Sequence, residues 1–362
     1  MKKKILSLTL ALAMVLGLTA CGGSKAETKP AESSKPTETS KPAEAPAESS
    51  GFDKKYNWSF STTYATGSVV VQMYQKFADL ANEYTDGAVT INVFPDGTVA
   101  SEDDALAQVS SGELEFCGTG TAPVYTYSNE NQWLIAPFLI TDVDTYYNVY
   151  NSDYWMDIRN SWATDHNVLD LCGPFYRGMR TLVSTEEVRS AADLKNLKLR
   201  MNSNAMWNAA WQALGCTTVT IPLGELYTSV QTGVVSSCEN PMSESGNLNI
   251  PEIAKYVIPT NHVVECAGIF MSNSLFESLP QNYQEAIHKA GEDAMAQCAP
   301  LVTEEEAHWL QVYQDSGAEL VTDLDLDSIK AASQEFWKQK FATDWTGISY
   351  EDAMALIEEC SK

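Results

Sequence analysis

The stretch that decides the fold begins with Asp193-Leu-Lys-Asn-Leu-Lys-Leu-Arg200. Lys198-Leu-Arg-Met is predicted to be a short strand, and Gly215 stops the helix that follows from Asn204 to Leu214. Pro222 then opens a second helix that runs to Gly233. Short strands that alternate with helices in this way predict an open sheet flanked by helices.

The same alternation occurs on both sides of this stretch. Tyr56 to Thr62 alternates as a strand does, Val69 to Tyr84 has the period of an amphipathic helix, and Val89 to Phe94 is again a strand. The run from Pro280 to about Gln314 is predicted to be one long helix. Further strands are expected at 114–118 and 168–175, and further helices at 103–110, 326–341 and 350–359. About 310 residues in such a pattern suit two lobes better than one core.

The arginines are confined to one part of the chain. All five (Arg159, Arg177, Arg180, Arg189 and Arg200) lie within a short stretch, whereas lysines occur from end to end. A guanidinium grips a carboxylate at two points, and lysine cannot replace it there. In a chain of formal net charge -25, this cluster indicates an anion-binding site. For Arg159 and Arg189, which lie in polar contexts, we expect structural ion pairs instead.

The N-terminus has the pattern of an export signal. Lys2-Lys-Lys precedes an apolar run from Ile5 to Leu18, and small residues then lead to Cys21. This pattern is typical of a lipoprotein signal over residues 1–20, with Cys21 as the acylated new N-terminus. The alternative is a plain secretory signal that contains a cysteine. Acyl chains on Cys21 would anchor the protein to the outer face of the cell membrane, outside the cytoplasm.

Residues 21–50 are predicted to be a disordered linker. Three Lys-Pro pairs lie there among Ala, Glu, Ser and Thr, without a large apolar residue to bury. The strongly acidic remainder argues against nucleic-acid binding and against electrostatic binding to anionic membranes.

Cysteines and histidines do not form a metal-binding pattern. The seven cysteines after Cys21 include no CxxC pair, and the four histidines have no ligand spacing with them. One disulfide is possible, but we expect most of these thiols to be buried and unpaired. The sequence thus predicts neither a metal site nor a cofactor.

Enzyme motifs are also missing from the sequence. It contains no Gly-x-Ser-x-Gly elbow, no His-Glu-x-x-His and no P-loop. Acid pairs such as Asp103-Asp104 and the run Glu304-Glu-Glu306 have the appearance of solvated helix faces. We therefore predict a binding protein, not an enzyme.

Several short sequence motifs, taken in their order along the chain, indicate the kind of binding protein. Four stretches resemble motifs of the solute-receptor subunit of tripartite ATP-independent periplasmic (TRAP) transporters, the DctP family. They are Asp193 to Arg200, Glu225-Leu-Tyr227, Gln231-Thr-Gly-Val234 and Glu239-Asn-Pro241. The resemblance extends from Trp58 to Trp345 and includes Ala136-Pro-Phe-Leu139. It implies a two-lobed α/β fold of the periplasmic-binding-protein kind, with a long helix spanning both lobes. The lobe boundaries expected on this basis are 51–177 plus about 266–305 for lobe I, and about 178–265 plus about 306–362 for lobe II.

The resemblance also implies the site. Arg200 matches the arginine that pairs with the ligand carboxylate, Arg180 matches a second contact, and Asn240 matches a nearby hydrogen-bonding amide. Glu239, which precedes Asn240 in the Glu-Asn-Pro motif, is also expected to be a ligand-binding residue. From the N-terminal lobe, residues such as Tyr64, Gly67 or Trp133 are expected to reach the ligand only when the lobes close. Closure would signal to the membrane subunits.

The chain departs from the family pattern in places that bear on the ligand. Met201-Asn202 stands where a Val-Pro-like pair is usual, and Ser236-Ser-Cys238 stands where Asp-Gly is usual. Trp207 and Trp211 follow Arg200 at helical spacing. They are either core residues or, for one of them, a wall of the cleft.

The predicted function is therefore capture of an organic-acid anion for a TRAP transporter. Four-carbon dicarboxylates, sugar acids, sialic acids, keto acids and aromatic acids are all bound by proteins that resemble this one. Two candidate arginines favour an oxygen-rich ligand such as a uronate or a dicarboxylate. The alternative is the substrate-binding lipoprotein of an ATP-driven importer, which would share the signal, the linker and the two lobes.

Overall fold

The structure, a computed structural model, describes residues 51–362; the predicted signal, Cys21 and the predicted linker lie outside the described residues. The strands are β1 (Tyr56–Thr62), β2 (Val89–Phe94), β3 (Phe116–Gly120), β4 (Val168–Asp170), β5 (Phe175–Ser184), β6 (Lys198–Met201), β7 (Thr217–Thr220), β8 (Ser237–Pro241), β9 (Tyr256–Ile258), β10 (Val264–Ser272) and β11 (Glu319–Leu320). The α-helices are α1 (Val69–Tyr84), α2 (Glu102–Ser111), α3 (Thr121–Val124), α4 (Val143–Tyr150), α5 (Asp153–His166), α6 (Ala205–Ala213), α7 (Leu226–Gln231), α8 (Met242–Asn247), α9 (Asn273–Glu277), α10 (Gln281–Asp315), α11 (Leu326–Thr343) and α12 (Tyr350–Cys360). The 3-10 segments are Tyr125–Ile135, Ala191–Leu194, Leu223–Glu225 and Ile250–Glu252.

The β1-α1-β2 unit has the bounds that the sequence predicts. Ser68 caps α1 because its side chain accepts a hydrogen bond from the Val71 backbone N–H. Met73, Phe77 and Ala81 lie on the buried face of the helix, at the spacing of successive turns. β1 and β2 pair in parallel, as a strand-helix-strand crossover requires.

The strands form a mixed sheet with the order β2-β1-β3-β10-β5-β8-β6-β7. At one end, β1 pairs in parallel with β2 and β3; at the other, β6 pairs in parallel with β7 and β8. The strands β10 and β5 between them are antiparallel to their neighbours. Two parallel half-sheets are thus joined through a pair of connecting strands.

The long helix α10 contacts both halves. It packs against α1 on one side and against α8 and β11 on the other. Pro300 lies inside this helix of 35 residues. The predicted single helix from Pro280 to about Gln314 is confirmed within one residue at each end.

The core consists of three clusters of buried apolar side chains. One lies around α1 and α10 and includes Phe60 and Phe77; one lies around α7 and includes Leu226. The third is rich in tryptophan and connects the segment before α4 with α6 and α11. The seven cysteines within residues 51–362 are all unpaired and six are buried. The expectation that most of the thiols are buried and unpaired is confirmed.

The strands match the prediction only in part, because β7, β8, β9, β10 and β11 were not predicted and the strand expected at 168–175 is divided. We expected one strand at 168–175, but β4 ends at Asp170 and β5 begins at Phe175. The break falls on Gly173-Pro174, where proline lacks the N–H that a sheet ladder needs. β10 was not predicted, because all nine of its residues are buried and it shows no polar alternation. None of the helices within residues 51–362 is both long and apolar enough to cross a membrane.

Candidate functional site

A cavity of about 580 Å³ lies where the carboxyl ends of the parallel strands meet. The segments that follow β1, β2, β6 and β7 all line it, together with α8. In open α/β sheets this edge is the usual place for a ligand, because the loops there are free to vary. A smaller recess of about 30 Å³ adjoins the cavity and shares Glu102, Arg177, Arg200 and Glu244 with it.

Arg200 lines both spaces from the end of β6. Its side chain is 3% exposed, and its Nε donates a hydrogen bond to the Ile221 carbonyl at 2.8 Å. Within residues 51–362 its two terminal nitrogens have no hydrogen-bond partner and no salt bridge. Burial lowers the pKa of Arg200, but a guanidinium stays protonated at neutral pH. The chain therefore presents a buried cation with an open fork to the cavity.

Arg180 is buried nearby but is already bound. Its Nε and Nη2 donate to the Glu239 carboxylate at 2.6 and 2.8 Å, and its Nη1 donates to Glu265 Oε2 at 2.9 Å. Nη2 also donates to Asn240 Oδ1 at 2.9 Å, and the guanidinium lies 4.5 Å from the ring centroid of Trp207. These carboxylates raise the pKa of Arg180 in spite of its burial. Its geometry is that of a residue that positions Asn240 and Trp207.

Asn240 has one free donor. Its Oδ1 accepts from Arg180, whereas its Nδ2 is buried without a hydrogen-bond partner. Asn240 lines the small recess together with Arg200. A buried amide N–H without an acceptor is costly. An anion in the recess would supply that acceptor and would also meet the open fork of Arg200.

Glu239 lies behind the recess and lines neither space. Burial raises its pKa, but Arg180 and a hydrogen bond from His262 at 2.9 Å outweigh that effect, and its pKa falls to about 2. His262 also contacts Thr260 Oγ1 through Nδ1 at 2.9 Å, and burial lowers the pKa of its imidazole. Glu239 is thus an ionised group that holds Arg180 in place.

Of the candidate aromatic residues, Tyr64 and Trp207 line the site and Trp211 does not. Tyr64 lines the main cavity, with its hydroxyl buried and unpartnered. Trp207 lines the small recess, and its Nε1 donates to the Ile135 carbonyl at 2.7 Å. Trp211 lines neither space and packs edge-on against His262 in the core. Of the two tryptophans, only Trp207 contacts the candidate site.

The other arginines fall into two groups. Arg159 pairs with Asp170 at 3.4 Å, and Arg189 pairs at the surface with Glu187, Glu319 and Asp323. The expected structural ion pairs of Arg159 and Arg189 are therefore confirmed. Arg177, for which the sequence predicts no role beyond membership of the arginine cluster, lines the cavity. Its Nη1 pairs with Glu244 at 2.9 Å, and its guanidinium lies 4.4 Å from the ring centroid of Tyr64.

One expectation about acidic residues is wrong in part. Glu305 and Glu306 are half-buried, although both were expected on a solvated helix face, whereas Asp103 is exposed as expected. Asp103 and Glu305 both line the cavity. Glu305 Oε1 accepts a hydrogen bond at 3.1 Å from the backbone N–H of Val69, the first residue of α1. Glu306 accepts from the Tyr176 hydroxyl at 3.3 Å. Helical periodicity alone could not reveal these partners, because they lie far away in sequence.

Comparison with known proteins identifies the family. The chain matches the sequence model of DctP, described as bacterial extracellular solute-binding protein, family 7, over residues 60–344. The 2,3-diketo-L-gulonate-binding periplasmic protein of Escherichia coli is 24% identical over 271 residues, which are 75% of this chain and 82% of the relative. The sialic acid-binding periplasmic protein of Vibrio cholerae is 24% identical over 276 residues, which are 76% of this chain and 85% of the relative.

Solved structures share the fold. A TRAP periplasmic solute-binding protein from Roseobacter denitrificans with bound β-D-glucuronate has a TM-score of 0.77 at 22% identity, covering 84% of this chain and 99% of that one. One from Xanthobacter autotrophicus with bound β-D-galacturonate has a TM-score of 0.75 at 22% identity, covering 84% and 98%. The predicted two-lobed α/β fold is confirmed. The chain belongs to the DctP family of bacterial extracellular solute-binding proteins, the solute receptors of TRAP transporters.

Proposed function

We propose that this receptor binds the carboxylate of a small organic acid between Arg200 and Asn240, and closes around it to deliver it to the membrane subunits of a TRAP transporter. One observation carries the proposal. A buried guanidinium with two unpartnered nitrogens and a buried amide with an unpartnered N–H line the same recess of about 30 Å³. A carboxylate offers acceptors to both groups in a geometry that a guanidinium favours.

The remaining groups act around this pair. Arg180, held by Glu239, positions Asn240 and Trp207 and gives at most a secondary contact to the ligand, because most of its donors are already bonded. Tyr64 offers its unpartnered hydroxyl from the main cavity. The site needs no metal or cofactor for binding, since charge-assisted hydrogen bonds supply the affinity.

The acids that relatives bind define the class to be tested. Their names include 2,3-diketo-L-gulonate, sialic acid and a C4-dicarboxylate. A thermal-shift screen of the purified full chain against such acids and against uronates and aldonates tests the proposal. An acid at 100-fold its Kd should stabilise the folded state by about 2.7 kcal/mol. If no organic acid raises the melting temperature at millimolar concentration, the proposal fails.

Closure between lobes is part of the proposed mechanism. With lobe I at 51–177 plus about 266–305 and lobe II at about 178–265 plus about 306–362, several contacts would cross between the lobes, among them two that involve residues that line the candidate site. The Ser203 hydroxyl donates to Asp103 at 2.7 Å at the cavity rim, and Trp207 donates to the Ile135 carbonyl at 2.7 Å. The measured free energy of ligand binding then includes the free energy of lobe closure. Small-angle scattering should show a smaller radius of gyration at saturating acid, and an unchanged radius would refute closure.

We also propose that the protein works outside the cytoplasm, attached to the outer face of the membrane by lipid on Cys21. The support is the sequence pattern around Cys21 and the extracellular character of the family. The alternative of an ATP-driven importer is not favoured, because the family match covers residues 60–344.

A further inference from the structure

The charges around the cavity are unequal. Two guanidinium groups, Arg177 and Arg200, line it, and none of the described lining residues is a lysine or a histidine. Five carboxylates line the same space: Asp96, Glu102, Asp103, Glu244 and Glu305. A ligand therefore meets a wall that is mainly negative, although the recess at Arg200 is positive.

The second guanidinium is not free to bind an anion. Arg177 pairs with Glu244 at 2.9 Å and with Glu265 at 3.5 Å, and all three side chains are buried or nearly so. To bind a ligand carboxylate, Arg177 would have to leave these partners. Separating a buried ion pair leaves an uncompensated charge, which is strongly unfavourable. Arg200 is consequently the cation that remains for a ligand anion.

The carboxylates on the wall still have unused acceptor oxygens. Glu102 uses Oε1 to accept from the Thr119 hydroxyl at 2.6 Å and the Gly120 N–H at 3.1 Å. Glu244 uses Oε2 for Arg177. Within residues 51–362, the second oxygen of each has no hydrogen-bond donor. Both residues also line the small recess, next to Arg200.

Burial raises the pKa of Glu102, and the hydrogen bonds from Thr119 and Gly120 oppose that rise because they stabilise its carboxylate. While ionised, such oxygens accept hydrogen bonds and cannot donate them. A hydroxyl group on the ligand satisfies them. A second carboxylate does not, because it brings only acceptors and a like charge. Like charges placed side by side in a desolvated site repel each other strongly.

We propose that this cavity selects a monocarboxylate whose other polar groups are uncharged hydroxyls, and that Glu102 and Glu244 reject dicarboxylates. This inference rests on the proposed binding of a carboxylate at Arg200. It narrows the oxygen-rich ligands expected from the sequence to polyhydroxylated monoacids. Glu102 and Glu244 are thereby specificity-determining residues that were not identified from the sequence.

Matched pairs of acids test the selection. Gluconate and glucarate differ only at one terminal carbon, which is a hydroxymethyl group in the first and a carboxylate in the second. Galactonate with galactarate, and erythronate with meso-tartrate, give the same comparison. Calorimetry on the purified full chain should show at least one monoacid that binds, and a Kd for its diacid that is weaker by on the order of 100-fold.

Variants of the two carboxylates test the cause. Glu102→Gln keeps an acceptor for Thr119 and Gly120 but removes the charge, so the preference for the monoacid should fall by about 10-fold or more. Glu244→Gln removes a charge and also weakens the hold on Arg177, so diacid affinity should rise. Glu113→Gln, at an exposed residue that does not line the cavity, should keep the wild-type ratio. Thermal melts establish that each variant is folded.

The outcomes separate the inference from the proposed function. A diacid that binds as tightly as its monoacid overturns the inference and leaves carboxylate binding at Arg200 standing. An unchanged ratio in both folded glutamine variants also overturns it. If a cyclic uronate binds and no monoacid of the three pairs does, galacturonate and galactarate provide the matched pair, and a diacid that binds as tightly as the uronate overturns the inference. If no organic acid binds at all, the proposed function and the inference fail together.

Discussion

Replacing Arg200 by lysine is the sharpest test of the carboxylate site. In the structure Arg200 fixes Nε on the Ile221 carbonyl and leaves both terminal nitrogens open towards the recess. Lysine keeps the positive charge but has one nitrogen and no planar fork. The substitution therefore removes the second of two parallel hydrogen bonds without removing the charge.

The magnitude follows from the number of bonds lost. A hydrogen bond to a charged group contributes roughly 1.5–3 kcal/mol. Lysine loses one such bond to the ligand and the alignment that the Ile221 contact provides, so we expect a loss of about 3 kcal/mol in binding free energy. That loss corresponds to a Kd weaker by on the order of 100-fold. Arg200→Met should lose more, because a ligand carboxylate would then be buried without a cation.

Isothermal calorimetry with an acid identified in the thermal-shift screen measures the effect. Arg189→Lys serves as the matched control, because Arg189 makes its ion pairs at the surface and should keep wild-type affinity. Equal affinity in wild type and Arg200→Lys would show that the carboxylate does not sit at this fork. A large loss in Arg180→Lys together with none in Arg200→Lys would transfer the carboxylate to Arg180.

Three further outcomes are expected. Arg180→Met should lower the free energy of unfolding by about 3–5 kcal/mol in urea titrations, since it leaves Glu239 buried without its cation; an unchanged midpoint would contradict this role. The pKa of Glu239 lies at about 2, below its ordinary value of 4.5. Its contribution to stability, on the order of 3 kcal/mol, is therefore present above pH 4.5 and is lost as the pH falls towards 2. Unfolding titrations across this pH range should show that loss of stability, and Glu239→Gln should reduce it. Cys21→Ser should release the protein from the membrane fraction, and retention of the variant there without its transporter would refute lipid attachment.

Local periodicity made some elements predictable from sequence. Helix α1 follows from its amphipathic face, and α10 follows from a long run with few breaks, even with Pro300 inside it. Buried strands do not show such a pattern. β10 is covered on both faces, and its residues apart from Glu265 are apolar or small, so sequence alone does not distinguish it from a core helix.

The sequence predicted the main residues of the site but not the residues to which they bond. The resemblance selects Arg180, Arg200 and Asn240, and the structure brings all three to one recess. It could not tell which arginine is free, because the carboxylates that bind Arg180 lie 59 and 85 residues further along the chain. For the same reason the sequence could not identify Glu102 and Glu244 as neighbours of that recess.

The buried unpaired cysteines can be used to measure local opening of the fold. Cys117 lies in β3, Cys266 in β10 and Cys238 in β8, beside Glu239, and burial raises the pKa of each thiol. A buried thiol reacts with a disulfide reagent only after the surrounding structure opens, so its labelling rate measures local unfolding. Single-cysteine variants would resolve the opening of the two half-sheets separately. Binding at Asn240 should slow the labelling of Cys238 more than that of Cys117, giving a residue-level measure of which part of the receptor its ligand holds shut.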